Sequence, residues 1–161
     1  MQSSMNSTGR RLLTAIAVLA AAGVVVSSVS LYHHYQKSET SFCNISESLN
    51  CDIVNRSIYS EVMGVPVALI GMVGYASLFV AAVFRRARPE TPKVLLAASL
   101  AGLGFALYLT YIEGFVLGAW CVLCLSSLVV IFAVAVVSAI LAVRERKESQ
   151  RASPRDDRVA G

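Results

Sequence analysis

The residues best suited to chemistry are four cysteines, Cys43, Cys51, Cys121 and Cys124. The last two form a Cys-x-x-Cys pair in Trp120-Cys121-Val122-Leu123-Cys124, at the mouth of a long apolar run from Val122 to Val143. On a helix, residues three apart share a face, and the second thiol lies about 4.5 Å further along the axis. Cys121 is expected near the helix N-terminus, where free N–H groups and the helix dipole favour a water-facing thiolate. Cys124 is expected deeper, at the edge of an apolar phase. Such a pair could pass electrons between two phases.

The elements that must position these thiols are four apolar runs, Leu12–Tyr32, Val62–Phe84, Val94–Ile112 and Ala119–Val143. Each is long enough to cross a ~30 Å hydrocarbon core as a helix. With 56% hydrophobic and only 15% charged residues, the composition departs from that of soluble domains. The expected fold is therefore an all-α four-transmembrane-helix bundle. Its expected parts are a cytoplasmic tail at 1–11, a membrane domain at 12–143 and a charged, disordered cytoplasmic tail at 144–161. Within the domain the spans fall at about 12–32, 62–84, 94–112 and 119–143. A periplasmic loop at 33–61 carries a short amphipathic helix that caps the bundle.

Charge sets the orientation. Twelve of the fourteen Lys and Arg residues flank the runs on one side, at 10–11, 85–93 and 144–158, leaving only Lys37 and Arg56 opposite. Acidic residues divide evenly, so the bias is the Lys/Arg asymmetry that marks cytoplasmic loops. Both termini are thus expected inside. A net charge of +4 is accounted for by these anchors and asks for no nucleic acid. All four cysteines then fall on or near the outer face, the oxidising side of a bacterial inner membrane. A cleaved signal peptide is the competing reading of the first run. The run is long and Ser27–Tyr32 offers a weak cleavage site, which favours an uncleaved helix.

The loop carries Cys43 and Cys51 with turn formers Asn44, Ser46, Ser48 and Asn50 between them, so a disulfide could close there. Asp52–Val62 reads as the amphipathic helix. His33 and His34 suit a membrane interface better than a metal, since neighbouring histidines do not share a helical face. Gly64-Val65-Pro66 breaks or kinks the entry to the second run. Gly71, Gly74, Gly102 and Gly104 suit close helix packing. Tyr108 and Tyr111 fit an aromatic belt, or a site wall. Glu113–Ala119 is a short turn that makes the last two helices antiparallel neighbours.

The cysteines admit three readings: two structural disulfides, a four-thiolate zinc site, or a thiol–disulfide relay. Structural zinc prefers two tight knuckles, and one pair here is loose. A disulfide across Cys121 and Cys124 would staple a helix that hardly needs it. A relay uses both pairs: a dithiol substrate meets the loop pair, which reduces the helix pair by exchange. The electrons then need an acceptor at the membrane edge. The chain has no haem-ligand pattern and no dinucleotide glycine motif. A lipid-soluble quinone, ubiquinone or menaquinone, fits, with no metal.

At these residues the chain resembles the vitamin K epoxide reductase (VKOR) family, in its bacterial quinone-linked, DsbB-like branch. The resemblance runs over about 12–143. It rests on Cys43 and Cys51 with seven residues between them, Ser57 six beyond, Gly64-Val65-Pro66 with Gly71, Tyr108 and Tyr111, and Trp120-Cys121-Val122-Leu123-Cys124. It implies a four-helix bundle around a quinone pocket. It further implies that Cys43 meets a periplasmic DsbA-like thioredoxin-fold partner, that Cys51 bridges to Cys121, and that Cys124 reacts with quinone. Some members carry a fused thioredoxin-like domain; here the partner is expected to act in trans. Ser57, Tyr59, Met63, Tyr108, Leu125 and Leu128 are the expected pocket walls. Two features depart from animal members: Leu128 stands where they have Tyr, and Val65–Ile70 lacks their Asn. Both point away from epoxide reduction and towards a more apolar pocket. The rival functions are a thiol-consuming vitamin K epoxide or quinone reductase, and a non-enzymatic membrane protein with structural disulfides.

Overall fold

The computed structural model describes residues 7–35, 44–46, 49–55, 57–84, 88 and 90–152. Cys43, Lys37, Arg56, Arg85, Arg86, Pro89, Arg155 and Arg158 lie outside the described residues. Among the described residues there are five α-helices: α1 Ser7–Tyr35, α2 Cys51–Asn55, α3 Val67–Phe84, α4 Thr91–Ile112 and α5 Val122–Ala152. Four of them, α1, α3, α4 and α5, are long and apolar enough to span a membrane. They form a four-helix membrane bundle, as the composition demanded.

Helical spacing of small and branched residues builds the core. Leu13, Ile16, Ala17 and Ala20 line one stripe of α1. Tyr75, Leu78 and Ala82 face them from α3, and Ile131, Val134 and Leu141 from α5. The outward faces carry Val18, Val25, Val73, Leu100, Val129 and Phe132, all exposed. An apolar exterior around an apolar core suits lipid, where every backbone group must be paired within its own helix. Gly71 lets α3 approach Ser27 of α1, and Gly102 lets α4 approach Ile131 of α5. Gly74 and Gly104 meet no neighbour, so the packing expected of them is not made.

α1 packs closely on α3 and α5, and α5 on α4, whereas the α3–α4 contact is much sparser. The end of α3 and the start of α4 lie at one end of the bundle. At the other end lie the loop between α1 and α3 and the short turn between α4 and α5. That second end holds Cys51, Cys121 and Cys124.

Several boundaries differ from expectation for physical reasons. The loop helix is one turn and a half, Cys51–Asn55, followed by a 3₁₀ turn at Ile58–Ser60. It does not continue to Val62, because β3 Glu61–Val62 pairs antiparallel with β4 Val65–Pro66. Met63 and Gly64 form that hairpin's turn with φ of 54° and 80°, so α3 starts only at Val67. A second small hairpin pairs β1 Asn44–Ser46 with β2 Leu49–Asn50, just before α2. α5 runs to Ala152 where a disordered tail was expected. Arg144–Gln150 is rich in strong helix formers, with Arg144 and Glu148 at i,i+4, so charge does not end the helix.

Candidate active site

The site is built where α4 gives way to α5. Past Ile112 the helix widens into a π turn, Glu113–Leu117, a distortion often found at functional sites. Gly118, at φ 62°, ends it in the left-handed conformation that glycine tolerates. The N–H groups of Gly118 and Ala119 both reach back to the Glu113 carbonyl. The turn between α4 and α5 was expected to begin at Glu113; it begins five residues later. Trp120 lies over Gly114, where a Cβ would stand 2.9 Å from the indole. Cys121 then caps α5, its carbonyl accepting the Leu125 N–H at 3.0 Å.

Three thiols meet at this junction. The Cys121 thiol hydrogen-bonds with those of both Cys51 and Cys124. The short helix α2 brings Cys51 there. Cys51 and Val54 are buried against Ala119 and Cys121, with Leu117, Leu123 and Cys124 packed around them. Cys121 is 0% exposed. It therefore does not face water, contrary to expectation, because the loop helix covers it. Its expected low pKa is also corrected. Hydrogen bonding to Cys124 raises the Cys121 pKa, burial adds to this, and the bond to Cys51 only partly opposes it. These effects outweigh the helix dipole.

The cover is pinned at its edges. Ser57 donates its hydroxyl to the Val54 carbonyl at 2.8 Å, closing α2, and the Ser60 hydroxyl donates to the Ser57 carbonyl at 2.7 Å. His34 at the end of α1 lies 3.3 Å from Glu61 of β3.

Beneath the cover a cavity of about 460 Å³ runs down between α3 and α4. Its walls are mostly apolar, with Val67, Leu78, Leu95, Phe105 and Leu109 among them. Cys124, Glu113, Tyr75 and Ser127 supply polar groups. The Tyr75 ring rests against Gly23, where no Cβ would fit, and its hydroxyl donates to the Ser127 carbonyl at 2.8 Å.

Of the expected walls, Ser57 and Tyr59 line this cavity. Met63, Tyr108, Leu125 and Leu128 do not. Met63 is wholly exposed at the hairpin tip, and Tyr108 points outward with Tyr111, which stacks on Phe115 at 4.8 Å. On α5 the cavity face is Cys124, Ser127 and Ile131, and Leu125 and Leu128 fall beside it. Leu128 therefore does not set the polarity of the cavity, and Tyr75 joins its lining from α3.

Sequence reasoning passed over Tyr75, Ser127 and Glu113. Glu113 had a signal: it is the only acidic residue between Glu90 and Glu145. It is 2% exposed, and its carboxylate accepts the Cys121 N–H at 3.1 Å and a hydrogen bond from Cys124.

A line of thiols ending at an apolar cavity, inside a four-helix membrane bundle, is an arrangement for thiol redox chemistry at a lipid boundary. The sequence matches the model of the vitamin K epoxide reductase family over residues 14–139. That family comprises oxidoreductases that work with thiols and quinones. With most of its length matched and its membrane bundle in place, the chain belongs to the vitamin K epoxide reductase family.

Proposed function

We propose that the protein is a quinone-dependent thiol oxidase of the bacterial inner membrane, which reoxidises a periplasmic DsbA-like thiol carrier acting in trans. The observation that carries this reading is the contact of Cys51 with Cys121 and of Cys121 with Cys124, with Cys124 on the cavity wall. In it, Cys43 exchanges with the carrier and the Cys43–Cys51 pair becomes reduced. The Cys51 thiolate then attacks Cys121 of the Cys121–Cys124 disulfide, forming a Cys51–Cys121 bridge and releasing Cys124. Cys43 resolves that bridge, leaving Cys121 and Cys124 as the dithiol.

The cavity fits a quinone. Its volume lies within the usual ligand-pocket range, and its apolar walls match a lipid-soluble ring. Glu113, bonded to Cys124, and Ser127, one turn further on, add polar groups beside that thiol, and the sparse α3–α4 contact supports lateral entry from lipid. Bound there, a quinone supplies a two-electron, two-proton acceptor. Ser57, Tyr59, Tyr75 and Ser127 would hold it, and Cys124 would face it.

The test mixes purified protein with a reduced DsbA-like protein and ubiquinone or menaquinone, and follows quinone absorbance. Wild type should reduce the quinone. Cys124→Ala should abolish reduction and accumulate a Cys51–Cys121 bridge, visible by mass spectrometry. Full activity of Cys124→Ala, or none in wild type, would sink the reading.

A further inference from the structure

Resting on the thiol-oxidase reading, we propose that Glu113 is a catalytic residue of the oxidation step: it accepts the Cys124 proton and hands it to the acceptor in the cavity. A carboxyl group 2% exposed, at a membrane boundary, is expensive unless it is paired or functional. Among the described residues no Lys or Arg pairs with it. The described basic residues of α1, α4 and α5, together with Arg88, lie towards the opposite end of the bundle. Its partners are instead the Cys121 N–H and the Cys124 thiol, the sulfur whose oxidation the cavity serves. Glu113 itself lines that cavity, so one carboxyl group bridges thiol and acceptor site. The other titratable groups around it are Cys121 at the start of α5, Cys51 on α2, and His34, Tyr59 and Tyr75 on the cavity wall.

The hydrogen bonds form a path, Cys121 to Cys124 to Glu113. In the oxidation step the Cys124 S–H bond breaks. Its proton moves to a Glu113 carboxylate oxygen, and the electron pair stays on sulfur. Glu113 releases that proton to an oxygen of the quinone-class acceptor, and the Cys121 proton follows by way of the Cys124 sulfur and the same carboxylate. With both S–H bonds broken, the Cys121–Cys124 disulfide closes as two electrons leave for that acceptor. Two thiol protons and two electrons leave, and one disulfide remains.

Glu113→Gln tests this, because the amide keeps an oxygen for the Cys121 N–H but cannot hold the proton at neutral pH. Quinone reduction should fall by roughly a hundredfold, the usual size of a lost proton-transfer group. The Cys51-to-Cys121 exchange, measured without quinone, should keep its rate. Glu113→Asp, which keeps the acid, should restore most of the oxidation, and serves as the readout if the amide variant does not fold. A second readout needs no quinone. Redox-difference infrared spectra of protein cycled with dithiothreitol and ferricyanide should show a carboxyl band that Glu113→Gln removes. Wild-type oxidation in Glu113→Gln with the band retained overturns the proposal. Equal slowing of exchange and oxidation would do so too, since it would mark a purely positioning role. If wild type reduces no quinone, the oxidase reading fails, while the infrared cycle still decides whether Glu113 takes the thiol proton.

Discussion

At the residue scale, the site is governed by burial. Cys121 carries the N-cap position that favours a thiolate, yet it has no exposure and its thiol donates into a sulfur network. The pKa is raised from an ordinary 9.0, so the neutral thiol is the folded form at neutral pH. In the reduced protein, Cys121 alkylation by iodoacetamide should climb steadily with pH and show no plateau below about pH 9. A plateau at pH 7 would contradict the buried, hydrogen-bonded thiol. The linkage has a definite sign. A raised pKa contributes stability below the unfolded thiol's pKa, and that stability is lost as pH rises through the folded value. Reduced protein should therefore lose thermal stability at alkaline pH, and Cys121→Ala should flatten that loss.

At the scale of elements, short irregular pieces do the positioning. The π turn places Glu113 beneath Cys124, the left-handed Gly118 ends that turn, and α2 brings Cys51 onto Cys121. α1 lines the cavity with Val26, Ser27 and Ser30 and seats the Tyr75 ring on Gly23. A Cβ at Gly23 would clash with the Tyr75 ring, which is held by its hydroxyl's bond to Ser127. Gly23→Ala should thus push α1 and α3 apart and destabilise the bundle by about 1–3 kcal/mol, the usual range for overpacking. Thermal unfolding in detergent measures it. Tyr75→Phe keeps the ring and removes only the hydroxyl, so it should cost no more than about 0.5–1.5 kcal/mol of stability, one hydrogen bond, while altering quinone KM. An unaltered KM would remove Tyr75 from the proposed pocket.

For the whole molecule, the arrangement separates two ends. The described Lys and Arg residues gather towards one end, at 10–11, 88–93 and 144–151, and the three described thiols gather at the other. The Lys/Arg bias predicts that the thiol end faces the periplasm. Alkaline phosphatase fused after Gly118 should be active in a bacterial host, and the same reporter after Arg88 inactive; the reverse pattern would invert the orientation. Much of this was legible in the chain itself. Four long apolar runs leave helices as the only economical way to satisfy backbone polar groups in lipid, and the paired cysteines are legible as residue types at fixed spacing. The lining of the cavity was not. Which side of α5 turns inward depends on packing against α1 and α4, and that rotation sets Leu128 aside and brings Ser127 in. Nor does spacing reveal that Glu113, eight residues before Cys121, folds back beneath it. The sequence by itself determined the membrane bundle and the thiols. Tertiary packing decided what surrounds those thiols, because burial and hydrogen bonding arise only when separate helices meet.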